Sequence, residues 1–274
     1  MSHFPTPAQR RHRLLSVLLA VTCLLPLSHA AAQREVTATY QLGAGKTNVL
    51  DTYLSQEKFS GIGLTFLATR EHRLPGRHWS TLVEHEFNYS TAHDRAETCR
   101  EILGDYTLLM GRLRAWRIGR LQLQAGLMGS LNLGAIYNPS NSNNPAQARF
   151  SLQAMPTGAA HYDFTLFSRR LRLRYELQLP LLGIMFSPNY GQSYYEIFSE
   201  GNYDHNIVPT TLVATPCFRQ QLSVEYSIPR FATLRLGYLG NYQQAQVNNL
   251  KSHTYLHRLT IGIVKEFEIK RKTK

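Results

Sequence analysis

The stretch that decides the fold runs from Leu121 to Leu133 and reads LQLQAGLMGSLNL. Leucine or alanine recurs at nearly every second position, and glutamine, serine and asparagine stand at several positions between them. Side chains of a β-strand point alternately to opposite faces, so the pattern predicts a strand with one apolar face. Its 13 residues are long for a strand of a soluble protein, which usually has ~5–6 residues. The length suits a tilted strand that crosses a membrane with ~9–11 residues and continues beyond it.

Nine other stretches alternate in the same way. They are 36–47, 59–69, 79–89, 103–115, 149–167, 171–186, 218–228, 234–242 and 255–267. Together they predict an all-β protein, an antiparallel transmembrane β-barrel of about ten strands, with eight or twelve strands as alternatives. We expect residues 31–274 to form this barrel as one domain.

The connections between these stretches alternate in length. Those at 70–78, 116–120, 168–170 and 229–231 are short, whereas those on the other side, such as 187–217 and 243–254, are mostly longer. Short periplasmic turns and long extracellular loops are typical of outer-membrane barrels.

Aromatic residues lie near both ends of the predicted strands. Trp79 and Trp116 are at short-turn ends, and Tyr89, Tyr242 and Tyr255 are near long-loop ends, as two membrane girdles require. The soluble alternative is a lipocalin-like barrel or a β-sandwich, whose apolar face turns inward. Alternation does not give the direction of that face, but strand length, loop asymmetry and aromatic positions favour the membrane.

Residues 1–30 have the pattern of a secretory signal peptide. Arg10, Arg11 and Arg13 precede an apolar segment at 14–27, and a small-residue cleavage site ends at Ala30. The net charge of +12 is of the kind that attracts nucleic acid. Export of the protein argues against a nucleic-acid partner. Beyond Ala30, no apolar run approaches the ~20 residues of a membrane helix.

Charged residues recur on the faces that the barrel would turn toward its lumen. Glu84 and Glu86 share one strand face, and the next strand offers Arg112 and Arg114 as partners. Buried charges require partners, and the lumen of a small barrel is narrow enough for side chains to fill it. We therefore predict a lumen closed by ion pairs rather than a general porin. The predicted network comprises Glu84, Glu86, Arg112, Arg114, Asp163, Arg172, Arg174, Glu225 and Arg235.

The longest loop is rich in aromatic residues. Because such residues are unfavourable when exposed, we expect the loop to cover the mouth as a lid or plug, or to contact a partner. A hairpin that pairs 194–198 with 207–211 is a further prediction within it. The candidate lid or binding residues are Tyr190, Tyr194, Tyr195, Tyr203, Asp204 and His205.

No stretch predicts a cofactor or metal site. The sequence GAGKT at 43–47 resembles the end of a phosphate-binding loop, but Tyr40 occupies the position of the required first glycine. Asp204 and His205 leave a hydrolase at the barrel rim as an alternative, although no Gly-x-Ser-x-Gly elbow is present. In an exported protein, Cys99 and Cys217 form a disulfide only if their Cα atoms lie within ~7 Å, which the sequence leaves open.

Three blocks of sequence resemble one family. They are VLDTYLS at 49–55 with FSG at 59–61, MFSPNYGQSYY at 185–195 with GNYDHN at 201–206, and NNLK at 248–251 with HTY at 253–255. These blocks are similar to a family of outer-membrane barrels of Bacteroidota known as a domain of unknown function, DUF3316. The resemblance spans most of the predicted domain. It implies a barrel in the outer membrane and implies no reaction.

These observations predict a non-enzymatic protein of the cell outer membrane. Its role is structural, or it binds a ligand or partner through its outward loops; a narrow solute channel is the second hypothesis and a rim hydrolase the third. The expected partners are outer-membrane lipid and the barrel assembly machinery, with no nucleic acid and no cofactor.

Overall fold

The computed structural model describes residues 34–74, 76–142, 144–166, 169–228 and 232–269. The predicted signal peptide at residues 1–30 lies outside the described residues and stays a prediction. Within them, no helix is long and apolar enough to cross a membrane.

Twelve strands and one short helix make up the described chain. They are β1 (Arg34–Asp51), β2 (Phe59–Arg73), β3 (Trp79–His93), β4 (Arg100–Ile118), β5 (Leu121–Tyr137), β6 (Ala146–Leu166), β7 (Arg169–Gln178), β8 (Leu182–Phe186), α1 (Tyr194–Phe198), β9 (Ile207–Thr211), β10 (Phe218–Ile228), β11 (Ala232–Val247) and β12 (Leu250–Ile269).

The strands form one closed antiparallel sheet. Pairing runs from β1 through β7 to β10, β11 and β12, and β12 pairs with β1. The ring therefore has ten strand positions, which confirms the predicted barrel of about ten strands. The ten predicted stretches correspond to the ten ring positions. Each strand of the ring separates the lumen from the exterior, so its side chains alternate between the two.

Two ring positions are each filled by two strands. The seventh holds β7 and then β8, and the eighth holds β9 and then β10, so β8 and β9 form a hairpin on the half of the barrel with the long loops. We call this half the outer end.

A β-bulge separates β7 from β8. Thr157 of β6 pairs with Gln178, and Ala154 of β6 pairs with Leu182. Between these two pairs, the chain of β7 and β8 has one residue more than β6. The extra residue shifts the alternation of the strand. Gln178 is buried in the lumen, whereas Leu182 is exposed on the exterior.

The ninth connection differs from its prediction. A longer loop was expected at 243–254, but β11 continues to Val247 and β12 begins at Leu250. The two residues between them, Asn248 and Asn249, have φ angles of 50° and 58°. Paired positive φ values form the tight turn that matches the twist of two antiparallel strands, and asparagine tolerates them well.

The longest loop also differs from its prediction. The pairing of 194–198 with 207–211 is wrong, because residues Tyr194–Phe198 form α1 and β9 pairs with β8 instead. Ser193 and Glu196 explain the helix. The Ser193 hydroxyl accepts a hydrogen bond from the Glu196 amide, and the Glu196 carboxylate accepts one from the Ser193 amide at 2.7 Å. This capping box stabilises a helix start.

Candidate functional site

One arginine crosses the lumen. Arg219 on β10 lies five ring positions from β3, and its guanidinium contacts Glu84 at 2.5 Å and Glu86 at 2.8 Å. It also donates to the Gln178 side chain at 2.9 Å. All three charged side chains are at most 4% exposed. The group therefore blocks the barrel across its full diameter.

The predicted arginine partners of Glu84 and Glu86 are wrong. Arg112 and Arg114 on β4 point to the exterior and are exposed, and Arg114 lies 5.5 Å from the ring of Trp116. The alternating apolar residues of the same strand, Leu109 and Leu113, point into the lumen. The prediction failed because it placed every polar strand face in the lumen.

The other predicted charges meet near the short-turn end. The structure brings Arg172 to 2.6 Å from Asp163 and Arg235 to 2.5 Å from Glu225. Arg174 pairs with Glu176 on its own strand, a carboxylate that the predicted network did not include. The Arg174–Glu176 and Arg235–Glu225 pairs are buried, so loss of either partner would be strongly unfavourable. The Arg172–Asp163 pair is partly exposed and contributes less.

Apolar side chains fill the lumen beside the ion pairs. A cluster on β3 to β6 lies next to the Glu84 level, and a second one lies at the outer end. The first comprises Leu82, Leu109, Leu113, Met128 and Met155; the second comprises Val49, Leu54, Phe59, Ala92, Leu103 and Ile136. The lumen is thus packed at several levels.

A second buried arginine holds the outer part of the lumen without a carboxylate in hydrogen-bond contact. Arg258 is fully buried and donates to the Thr47 hydroxyl at 2.7 Å, the Ser90 hydroxyl at 2.9 Å and the Lys46 carbonyl at 2.6 Å. The network predicted from the sequence did not include Arg219 and Arg258. Both occupy polar positions of alternating strands, and this pattern could have identified them as lumen-facing residues.

The long loop lies across the mouth. Tyr194 of α1 contacts β6, where its hydroxyl donates to Gln147 at 2.8 Å and accepts from the Ala148 amide at 2.7 Å. The aromatic ring of Tyr194 packs edge-on against that of Tyr53, with centroids 5.7 Å apart. Tyr53 follows β1, which lies on the opposite side of the barrel from β6. The Tyr53 hydroxyl donates to the Gln192 carbonyl at 3.0 Å. We call residues 187–206 the lid.

Burial of the lid contacts changes the acidity of its tyrosines. The loss of solvent raises the pKa of Tyr53 to about 12, and the negative charges of Asp51 and Glu196 act in the same direction. Burial also raises the pKa of Tyr194. Both hydroxyls therefore stay protonated as hydrogen-bond donors at neutral pH.

Most of the predicted binding residues lie on the outer face of the lid. Tyr190, Tyr195 and Tyr203 are 67–68% exposed, and Phe198 beside them is 61% exposed. Only Tyr194 of the candidates turns inward. The lid therefore combines an anchored inner face with an aromatic outer face.

Asp204 and His205 form an exposed pair. The imidazole contacts the Asp204 carboxylate, and the side chains are 65% and 86% exposed. No hydrogen bond described for the His205 ring reaches a hydroxyl or thiol. A hydrolytic site needs a positioned nucleophile or water and exclusion of bulk solvent, so the geometry does not favour the rim hydrolase.

Cys99 and Cys217, whose pairing the sequence left open, are both free. Cys217 instead caps the edge of β11, where its sulfur accepts from the Gln244 amide at 3.3 Å and contacts the Gln244 carbonyl at 3.4 Å. Burial raises the pKa of the Cys217 thiol. In the described residues, no group of three or more histidine, cysteine or acidic side chains is placed to hold a metal ion.

A cavity of about 100 Å³ lies in the outer half of the lumen. Arg149 and Met155 of β6, Met185 of β8 and Gln243 of β11 line it, and Leu109 of the lower apolar cluster forms part of its floor. The cavity therefore has both a cationic and an apolar wall.

The exterior of the barrel is apolar around its circumference. Leu42, Ile62, Leu64, Leu127, Leu152, Leu236, Leu259 and Ile261 are among the exposed side chains. Soluble monomers rarely expose such a contiguous surface, whereas a transmembrane barrel requires one. Because the continuous apolar surface faces outward, the soluble alternative, whose apolar face turns inward, does not fit this barrel. The class is thus a transmembrane β-barrel of the outer membrane, in contact with its lipid.

The family follows from the sequence match. The chain belongs to the family described as "Protein of unknown function (DUF3316)", whose model matches residues 13–274. This result confirms the family that the three sequence blocks resemble. A comparison with curated proteins finds no match.

Several solved structures are similar to the chain. The β domain of the Bordetella autotransporter BrkA has a TM-score of 0.40 and 11% identity, with 86% of this chain and 100% of that chain covered. The transport unit of the autotransporter AIDA-I from Escherichia coli has 0.39 and 6%, with 92% and 97% covered. Neisserial surface protein A has 0.34 and 11%, with 85% and 97% covered. At these TM-scores the similarities carry no argument about function.

Proposed function

We propose that the protein is a non-enzymatic binding protein of the outer membrane, which contacts a protein partner outside the cell through the outer face of its lid. The observation that carries the proposal is the lid itself. It is anchored across the mouth by Tyr194 and Tyr53, and it still exposes Tyr190, Tyr195, Phe198 and Tyr203.

Aromatic residues on a rigid support suit this role. Tyrosine offers a large amphipathic contact area and loses little conformational entropy on binding. Exposed aromatic side chains are enriched in protein interaction sites. Because the capping box and the hydrogen bonds of the half-buried Tyr194 already order the lid, a partner does not have to order it on binding.

The packed lumen weighs against the narrow solute channel. Arg219 joins opposite walls, and apolar clusters fill the space around it and above it. Purified protein in planar lipid bilayers should give no single-channel conductance steps. Stable steps from folded protein would favour the channel and contradict a sealed binding barrel.

Photo-cross-linking in intact cells tests the interface. A benzophenone amino acid at position 195 should give a discrete cross-linked product that mass spectrometry identifies as a protein. The matched control is position 213, because Val213 is 91% exposed but lies outside the lid. Equal products at both positions, or none at position 195, would contradict the proposal.

Several predictions from the sequence accompany this function. They are export by a signal peptide at residues 1–30, insertion by the barrel assembly machinery, the lack of a nucleic-acid partner or cofactor, and an origin in Bacteroidota. Export and insertion are consistent with a barrel whose exterior contacts lipid.

A further inference from the structure

The wall of the barrel is interrupted at its outer end, between β9 and β11. Among the described strands, β9 pairs only with β8, and the segment of β11 from Gln243 to Val247 pairs only with β12. Below this segment, β10 pairs with β11 from Phe218 downward. We call the unpaired region the window.

The window has a defined border. Cys217 bounds it below through its contacts with Gln244. Asn248 bounds it above, because its side-chain amide donates to the Ser187 carbonyl at 3.0 Å and to the His205 carbonyl at 3.1 Å. The window is therefore a bounded feature of the fold and not a frayed strand end.

The cavity reaches this window. Its lining includes the lumen-facing Gln243 and Met185, and also Phe218 and Tyr242, whose side chains lie on the exterior. Phe218 and Tyr242 form the last β10–β11 pair below the window, so the cavity extends to its lower edge. Phe218 and Tyr242 stack with centroids 4.4 Å apart at the level expected for the outer aromatic girdle.

The lumenal part of the cavity carries a cation with no carboxylate in ion-pair contact, and the charges of Asp51 and Asp105 act on it from farther away. The Arg149 guanidinium donates to the Thr254 hydroxyl at 2.5 Å and to the Gln243 side chain at 2.8 Å. Within the described residues it forms no ion pair, unlike Arg219 and Arg235. Asp51 also lines the cavity, but it is only 4% exposed and accepts the Tyr53 amide.

We propose that this cavity binds an amphiphile with an anionic head group and an alkyl chain, taken up sideways through the window. The head group accepts hydrogen bonds from Arg149. The cavity of about 100 Å³ holds only the first carbons of the chain, beside Met155 and Met185. The rest of the chain leaves past Phe218 toward the lipid. A guanidinium in a site of reduced solvent access forms strong hydrogen bonds with carboxylates and phosphates, and the apolar walls match an alkyl chain.

A photoreactive fatty acid tests the site. The probe is a long-chain acid with a diazirine on its chain, added to the barrel in lipid nanodiscs, and mass spectrometry maps the adducts. We expect adducts on the peptides that contain Met185 and Phe218. The corresponding alcohol, which lacks the charge, should label these peptides less.

Two variants and one control identify the head-group site. Arg149→Gln should reduce this labelling about tenfold, the loss expected when a hydrogen bond to a charged group is removed. Ala245→Trp should also reduce it by filling the cavity, with Arg149 intact. The matched control, Arg112→Gln, alters an exterior arginine and should label as wild type. Heat-modifiable gel migration checks that each variant is folded.

The outcomes separate the proposal from its rivals. A diazirine-bearing phosphatidic acid incorporated in the nanodisc tells a membrane lipid from a free acid, and labelling of the cavity by either one supports the site. Equal labelling by acid and alcohol, or labelling unchanged in both Arg149→Gln and Ala245→Trp, would overturn it. Neither variant alters the outer face of the lid, so this test and the cross-linking test fail independently.

Discussion

The two halves of the seventh and eighth barrel positions behave differently. In the lower half, β7 and β10 pair with each other and with both neighbours, and Arg219 ties β10 to the opposite wall. In the outer half, β8 and β9 form a hairpin that leaves β11 unpaired along one edge. The sheet is thus a closed ring in its lower half, and in its outer half the ring is interrupted between β9 and β11.

The difference originates in a few residues. The bulge after Gln178, which contains Pro180, removes a regular ladder position, and residues 212–217 separate β9 from β10. Proline lacks the amide that a central strand requires, so it is found at bulges and edges. The same two barrel positions are thus rigid in the lower half and give access to the lumen in the outer half.

The largest expected effect comes from removing the cross-lumen arginine of the lower half. Arg219→Met leaves Glu84 and Glu86 buried without a charge partner, so it should destabilise the barrel by about 3–5 kcal/mol. The midpoint of urea unfolding, followed by heat-modifiable gel migration, measures this loss.

The matched control is Arg112→Met. Arg112 is exposed on the exterior, so the free energy of unfolding should change by no more than about 0.5 kcal/mol. A larger loss for Arg112→Met than for Arg219→Met would restore the partnership predicted from the sequence.

The apolar side of the closed ring should respond next. Leu109 is fully buried in the lumen, and Leu109→Ala should cost about 2–5 kcal/mol because it leaves a cavity. Its neighbour Met110 faces the exterior, so Met110→Ala should cost less in the same unfolding assay. Equal losses would mean that the lumen is not packed at this level.

The outer end should show smaller effects. Tyr194→Phe removes the hydroxyl that bridges Gln147 and the Ala148 amide, at an expected cost of about 1 kcal/mol. The lid should loosen while the barrel remains folded. Faster protease cleavage within residues 187–206 on intact cells, with unchanged heat-modifiable migration, is the expected result; a collapse of the whole barrel would contradict it.

The lid should also respond to high pH. Because burial raises the pKa of Tyr53 from 10.0 to about 12, its contribution to lid docking is fully present below pH 10.0 and is lost as the pH rises toward about 12. The tyrosinate absorbance of wild type minus that of Tyr53→Phe should titrate with a midpoint near 12. A midpoint at the ordinary tyrosine value would show that Tyr53 is not held under the lid.

The sequence predicts the ring well, because its alternation is local. Leu121 to Leu133 places apolar and polar side chains on separate faces, and β5 follows that pattern with Gln124, Ser130 and Asn132 buried in the lumen. On β4 the same rule fails, since Leu109 and Leu113 fill the lumen. Leu109 and Leu113 face the lumen because they pack against Met128 and Met155, which belong to other strands.

The partners within the site are harder to predict. Glu84 and Arg219 are separated by 135 residues, and only closure of the ring brings β10 opposite β3. The helix α1 had a local signal in Ser193 and Glu196, which the aromatic, strand-like composition of the loop outweighed. The window had no local signal in the sequence, because it depends on which strands fail to pair.

Hydrogen–deuterium exchange of backbone amides tests the central claim, the closed lower ring and the open outer wall, most directly. Unpaired strand edges exchange quickly, whereas ladder amides are protected. With the barrel in lipid nanodiscs, peptides covering 207–217 and 243–249 should exchange much faster than those covering 218–228 and 232–242. Equal protection of the two sets would mean that β9 pairs with β11 and that the wall has no window.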